Sequence, residues 1–256
     1  MNIQFFKDSF LNEEQSNNLR LFLDEFKNKD VESIDTLEKL SNSPNLCKFI
    51  LNENFLNKIK TNLKSNDLIF LNRVNIQKNK LKFNDVGDWH QDSGKLLQNK
   101  IITNKNNLYF KIGIYLQDND EKLGGGIDLL QRLYLDDLRM NNKIKTFLRK
   151  VYYYFKIRFG KNIFKTKKGD IVGFSGLVFH RTTPTKLREQ LKSDRYSIYF
   201  LLGNKNILKD VLNIYEKKNN IKINLEDQII KLKFDNLNVD CCNDNLTKIV
   251  ENLITD

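Results

Sequence analysis

"DWHQDSGK", residues 88–95, decides how the rest of the chain is read. It holds one of only two histidines in 256 residues, and Asp92 stands two places beyond His90. The second histidine, His180, closes the apolar run "SGLVFH". Residues i and i+2 of a strand project to the same face, so a His-x-Asp pair on a strand sets an imidazole nitrogen beside a carboxylate oxygen. A third ligand from a facing strand completes two histidines and one carboxylate, which cover one face of an octahedral metal and leave its other positions open. His180 is the only other histidine that could supply it. The ordinary reading competes: a lone His-x-Asp is a weak signal, and a histidine ending an apolar strand is more usually a core residue with its hydrogen bonds satisfied.

Outward from this pair, the texture is that of strands. "LIFLNRVNIQKNK" (68–80), "NLYFKIGIYLQD" (107–118), "IDLLQRL" (127–133), "GDIVGFSGLVFH" (169–180) and "RYSIYFLLG" (195–203) are rich in β-branched and aromatic residues. Turn chemistry separates them, in "DND", "LGGG" and "KKGD". Without a helix after each strand, the pattern predicts an antiparallel barrel or sandwich and not a parallel sheet. "LGGG" (123–126) lacks the lysine-threonine and strand-to-helix context of a phosphate loop and is read as a turn.

Residues 1–65 are predicted to be a mainly helical support, with one helix over 9–26 and two shorter ones over 36–63 broken near Pro44. The core spans 66–203, with an inserted helix around 135–155, and residues 204–256 form a mixed, charged C-terminal peripheral segment. The whole is expected to be one domain. The net charge of +11 comes from lysines spread along the chain, which favours a solvated basic surface over a polyanion site. A small-molecule substrate, an anionic one included, is the expected partner; nucleic acid is disfavoured. Cys47, Cys241 and Cys242 form no CxxC pair, so neither a disulfide framework nor a structural zinc site is expected. No stretch has signal-peptide or membrane-spanning character, and a cytoplasmic location is expected.

Arg195 and Ser197 share one face of the last strand of the core. A guanidinium fork beside a hydroxyl is a receptor for a carboxylate, because the fork can donate two parallel hydrogen bonds. Arg188, in "KLREQLKSD", is the competing receptor. Lys111, Gly113, Tyr115 and Gln117 form one face of another strand. If that face is the inner one, Lys111 and Tyr115 reach the ligand. Trp89 is read as a packing residue.

Together, "DWHQDSGKLL", "FKIGIYLQDNDEKLGGGIDLL", "KKGDIVGFSGLVFHRTTPT" and "RYSIYFLLG" resemble the phytanoyl-CoA dioxygenase-like branch of the Fe(II)/2-oxoglutarate-dependent oxygenases. The match runs over about residues 68–203, and the N-terminal helix is also typical of that branch. The resemblance implies a double-stranded β-helix (jelly-roll, cupin-like) core, mainly β with flanking helices. It implies that His90, Asp92 and His180 bind Fe(II), that Arg195 holds the distal carboxylate of 2-oxoglutarate, and that Ser197 and Thr182 support it. The reaction implied is hydroxylation of a small molecule with O2, releasing succinate and CO2. A nucleic-acid or protein demethylase of the same superfamily, or an inactive jelly-roll binding module, are the alternatives. An intact Asp92 speaks against a halogenase, whose relatives give up that carboxylate.

Overall fold

The computed structural model describes residues 5–25, 50–71, 75–78, 89–90, 109–130, 151, 155, 158–159, 161–176, 178–186, 195–234 and 236–254. The long strand β9 (Tyr196–Asn204) organises the fold. One of its edges pairs antiparallel with β4 (Phe110–Tyr115). The other takes β3 (Asn75–Lys78) and then β2 (Leu68–Phe70), so the apolar stretch 68–80 contributes two strands to this edge. Beyond β4 come β7 (Asp170–Ser175) and β1 (Phe5–Ser9). A second sheet contains β5 (Ile127–Leu130), flanked by β6 (Lys161–Phe164) and β8 (Phe179–Thr182).

The chain alternates between these sheets. β3 lies in the large sheet, His90 bridges to β8 of the small one, β4 returns to the large, β5 and β6 to the small, β7 to the large, β8 to the small and β9 to the large. This threading is a double-stranded β-helix, as the resemblance implies.

Alternation along β9 sorts its side chains. Tyr196, Ile198, Phe200 and Leu202 join Ile112, Ile114 and Leu116 on one face of the large sheet. They pack beneath α1 (Glu13–Glu25) and α2 (Glu53–Leu63), which contribute Leu19, Leu23, Phe55 and Ile59. Phe55 is the hinge pin, its ring 5.3 Å from Phe200 and 5.4 Å from Phe10. Fully burying a side chain of this kind contributes about 1.5–3 kcal/mol. On the opposite face, Tyr115, Val172, Phe174 and Tyr199 meet Ile127 and Leu129 of the small sheet and Val178. This is the interior of the sandwich.

Helix α1 starts later than its apolar pattern suggests. Asn12 Oδ1 accepts from Gln15 N at 2.8 Å and Gln15 Oε1 accepts from Asn12 N at 3.0 Å, a reciprocal cap that fixes the start. The residues before it are drawn into β1 by pairing with β7, which a helical reading of this region does not anticipate. β6 is a further strand that the turn-rich context concealed. Residues 36–49 and most of 135–155 lie outside the described residues; 151 and 155 are helical.

The C-terminal segment is built into the core. After α3 (Lys205–Asn219), the hairpin of β10 (Ile229–Phe234) and β11 (Leu237–Cys242) extends the large sheet, with β11 parallel to β2. α3 and α4 (Asp244–Ile254) then cover Ile69, Leu71 and Leu201 with Ile207, Leu208, Val211, Leu246 and Val250. Cys241 and Cys242 are buried free thiols, and burial pushes the Cys242 thiol up to about 12. Among the described residues, no helix is long and apolar enough to cross a membrane.

The "KKGD" turn joins three parts of this architecture. Gly169 sits at φ +86°, donates to Tyr115 O at 2.8 Å, and its carbonyl accepts from Phe10 N and Leu11 N at 3.0 and 2.9 Å. A Cβ there would lie 2.1 Å from Leu11 O. Gly169→Ala is therefore expected to lower the urea midpoint by the equivalent of about 2 kcal/mol or more, from strain and loss of these bonds. An unchanged midpoint would show that the turn relaxes freely.

Candidate active site

The site is assembled where the small sheet faces β4 and β9. His90 and His180 are 90 residues apart in sequence. They form an antiparallel bridge with His90 N donating to His180 O and His180 N donating to His90 O, each at 3.0 Å. Both rings project from the same side, with centroids 4.3 Å apart. The His180 ring packs against Phe174 of the interior cluster at 4.6 Å, which places the pair on the inner face. His180 is 3% exposed, whereas His90 is exposed.

His180 Nδ1 lies 2.9 Å from Val178 O. A carbonyl can only accept, so Nδ1 carries the proton and Nε2 presents its lone pair, the arrangement a metal-ligating imidazole needs. Asp92 and the alternative receptor Arg188 lie outside the described residues. Among the described residues, no group of three His, Cys, Asp or Glu gathers at one point.

On the large sheet, Ser197 and Tyr199 of β9 alternate onto the inner face with Tyr115 and Lys111 of β4, and Arg195 immediately precedes β9. The face of β4 that carries Lys111, Gly113 and Tyr115 is thus the inner one, and Gln117 lies in the bend beyond the end of the strand. Gly113 leaves room for its partner across the ladder, since a Cβ there would meet the Tyr199 ring at 2.8 Å. Tyr199 Oη lies 3.3 Å from Tyr115 Oη, and Lys111 Nζ sits 5.3 Å from the Tyr199 ring centroid. Tyr115 is fully buried; burial, reinforced by Tyr199, pushes its pKa well above the ordinary tyrosine value.

Arg195 is 5% exposed and held from one side. Its Nη2 donates to Asp118 O, to Asn119 Oδ1 and, at 3.2 Å, to Gly124 O. Asn119 is braced in turn by Thr166, whose Oγ1 accepts from Asn119 Nδ2 at 2.6 Å. Burial pushes the guanidinium pKa below its ordinary value, and the carboxylate of Asp120 pulls the other way. Asp120 is itself held below its ordinary value, chiefly by the backbone N–H of Leu123. Two buried polar atoms among the described residues have no hydrogen-bond partner and sit on this face: Arg195 Nε and Ser197 Oγ. Buried donors are nearly always satisfied. An anchored guanidinium with a donor edge open, beside an unsatisfied hydroxyl, fits a bound carboxylate. Thr182 lies on the same strand face as His180, at the exposed end of β8.

Several contacts here were not anticipated from the sequence. Gln117 Oε1 accepts from Tyr196 N at 2.8 Å, and Asn119 and Thr166 fix Arg195. On the other side of the small sheet, Asp128 accepts from Arg181 Nε at 2.9 Å and from Thr183 Oγ1 at 2.7 Å. Their partners are 47 to 79 residues away, so no local pattern could reveal them. The detectable signal was only polarity inside an otherwise apolar strand.

No family model matches the chain, and no curated protein matches it in sequence. Solved structures do match its fold. AviO1 from Streptomyces viridochromogenes Tue57 superposes with a TM-score of 0.52 at 12% identity, covering 79% of this chain and 90% of that one. EctD from S. alaskensis gives 0.51 at 9% identity, over 82% of this chain and 75% of that one. EctD with 2-oxoglutarate and 5-hydroxyectoine gives 0.50 at 12% identity, over 79% of this chain and 73% of that one. The chain has the fold of the Fe(II)/2-oxoglutarate-dependent oxygenases. In this fold His180 lies on β8 of the small sheet, His90 bridges to it, and Arg195 immediately precedes β9 of the large sheet.

Two outcomes test the site's description. Ser197→Ala removes a buried hydroxyl that has no partner, so the unliganded protein should keep its melting temperature or gain slightly; a clear loss would mean the hydroxyl is already bonded. Tyr115 has a folded pKa raised above its unfolded value near 10, so its contribution to stability is complete below pH 10 and is lost as pH rises beyond it. Tyr115→Phe should flatten that alkaline decline in urea midpoints, and an identical slope in the variant would contradict the assignment.

Proposed function

We propose that the chain is a non-heme Fe(II)- and 2-oxoglutarate-dependent dioxygenase that hydroxylates a small-molecule substrate with release of succinate and CO2. The observation that carries this reading is the convergence of the chain's two histidines, ring against ring, on the inner face of an oxygenase fold. His90 and His180 would hold the iron through imidazole nitrogens, with Asp92, two residues beyond His90, supplying the carboxylate. That donor set leaves open positions for a chelating keto acid and for O2. The residues described fit such a group: His180 presents a lone-pair nitrogen, and the open donors of Arg195 and Ser197 suit the far carboxylate of 2-oxoglutarate.

The chemistry that iron and 2-oxoglutarate supply when bound is oxidative decarboxylation of the keto acid coupled to hydroxylation of a substrate C–H bond. The chain's own residues do the rest. Arg195, braced by Asn119 and two backbone carbonyls, fixes the orientation of the keto acid with its side chain immobilised in advance. Tyr115, Tyr199, Phe174 and Leu129 exclude water around it. Lys111 and Thr182 border the same space, and exposed His90 marks the side from which a small molecule enters.

Protein prepared without oxygen, loaded with Fe(II) and 2-oxoglutarate and then exposed to air, is expected to form succinate, with His180→Ala at background. If neither Fe(II) nor 2-oxoglutarate binds the wild type, the fold serves here as a binding scaffold.

A further inference from the structure

The two strands that bring the histidines together are joined a second time, on the opposite face. In the antiparallel register that pairs His90 with His180, the next residues facing each other are Trp89 and Arg181. They form a non-hydrogen-bonded pair, the closer-spaced kind, whose side chains project away from the histidines. The Arg181 guanidinium lies over the Trp89 ring, 4.9 Å from its centroid. The same side chain bonds its cross-strand partner on β5, Nε donating to Asp128 Oδ2 at 2.9 Å, while Thr183 Oγ1 donates to the other carboxylate oxygen at 2.7 Å. Arg181 is 5% exposed and Asp128 is fully buried.

We propose that Arg181 and Trp89 are positioning residues for the metal site, a clamp on the back of the small sheet that sets how closely and at what angle the His90 segment lies on β8. This rests on the reading of His90 and His180 as metal ligands. Three features carry it. First, among the described residues the His90–His180 contact is an isolated bridge, so two backbone hydrogen bonds, and not a longer ladder, align the two histidines. Second, each clamp residue is the immediate chain neighbour of one histidine, so a change in their separation is transmitted through a single peptide unit. Third, Trp89 Nε1 is buried without a hydrogen-bond partner, so ring stacking and not a hydrogen bond holds the indole. Arginine is suited to this because its planar guanidinium can stack on a ring and donate in its own plane at once, whereas an ammonium cannot do both. Asp128 fixes the guanidinium plane, and the plane fixes Trp89.

The test uses Co(II), whose visible absorption reports ligand number and geometry, titrated into the wild type and three variants under argon. Trp89→Leu leaves the Asp128–Arg181 pair in place. It is expected to weaken Co(II) binding by about tenfold, within the range for residues that orient ligands, and to alter the absorption envelope. Trp89→Phe, which keeps a ring under the guanidinium, should restore both. Arg181→Lys, which keeps the charge beside Asp128 but not the stack, should resemble Trp89→Leu and serves alone if that variant does not fold. Folded variants with wild-type affinity and spectrum would overturn the clamp while leaving the metal site standing. A wild type that takes up no Co(II) would overturn the metal reading, and the clamp with it.

Discussion

Two backbone hydrogen bonds between His90 and His180 set the relation on which the site depends. Side chains of a strand alternate with period two, so a slip of one residue in this pairing would turn one imidazole to the outside while the other stayed within. The register of β8 on β5 is fixed independently, by Leu129 facing His180 inside and Asp128 facing Arg181 outside. Apolar burial on one face and a buried ion pair on the other therefore agree on a single alignment. A misregistered small sheet would strand Asp128 without its partner, and removing one member of such a pair costs about 3–5 kcal/mol.

The inner face shows a second economy. Its walls are aromatic and aliphatic, and its polar groups are few and immobilised before any ligand arrives. Arg195 is held through Nη2 by three acceptors, one of them braced by Thr166, which leaves the fork already oriented. Leaving Arg195 Nε and Ser197 Oγ unsatisfied lowers the stability of the unliganded chain. Such a cost is understandable where a ligand supplies the missing acceptors, and the two atoms lie on the strand face where the sequence pattern placed a carboxylate receptor.

The strands of the core were legible because period-two alternation and turn residues are local signals: "FKIGIY" and "YSIYFLLG" announce their conformation and their two alternating faces. The inward set on β4 followed once the sandwich was known. What escaped was set by partners distant in sequence. "FFKDS" is a strand only because β7 offers an edge, and "KNIF" only because β5 does. Residues 204–256 were expected only as a mixed, charged peripheral segment; neither the packing of α4 through Leu246, Ile249 and Val250 nor the parallel addition of β11 to β2 was read. In the site, His90, His180, Arg195 and Ser197 were marked by scarcity of type and by spacing. Asn119, Thr166, Asp128 and Arg181 carry no such mark, since polar residues in strands are common and only their burial makes them matter. Asp92, the third member of the expected donor set, lies outside the described residues, so its part rests on the His-x-Asp spacing.

The central claim is that two histidines 90 residues apart serve one metal ion. Pulsed electron paramagnetic resonance on protein loaded with one equivalent of Cu(II) counts coordinated imidazoles through their remote nitrogens. Two coupled imidazoles in the wild type, and one in either His90→Ala or His180→Ala, is the result the account requires. A wild-type spectrum with no imidazole modulation, or one unaffected by both substitutions, would contradict it.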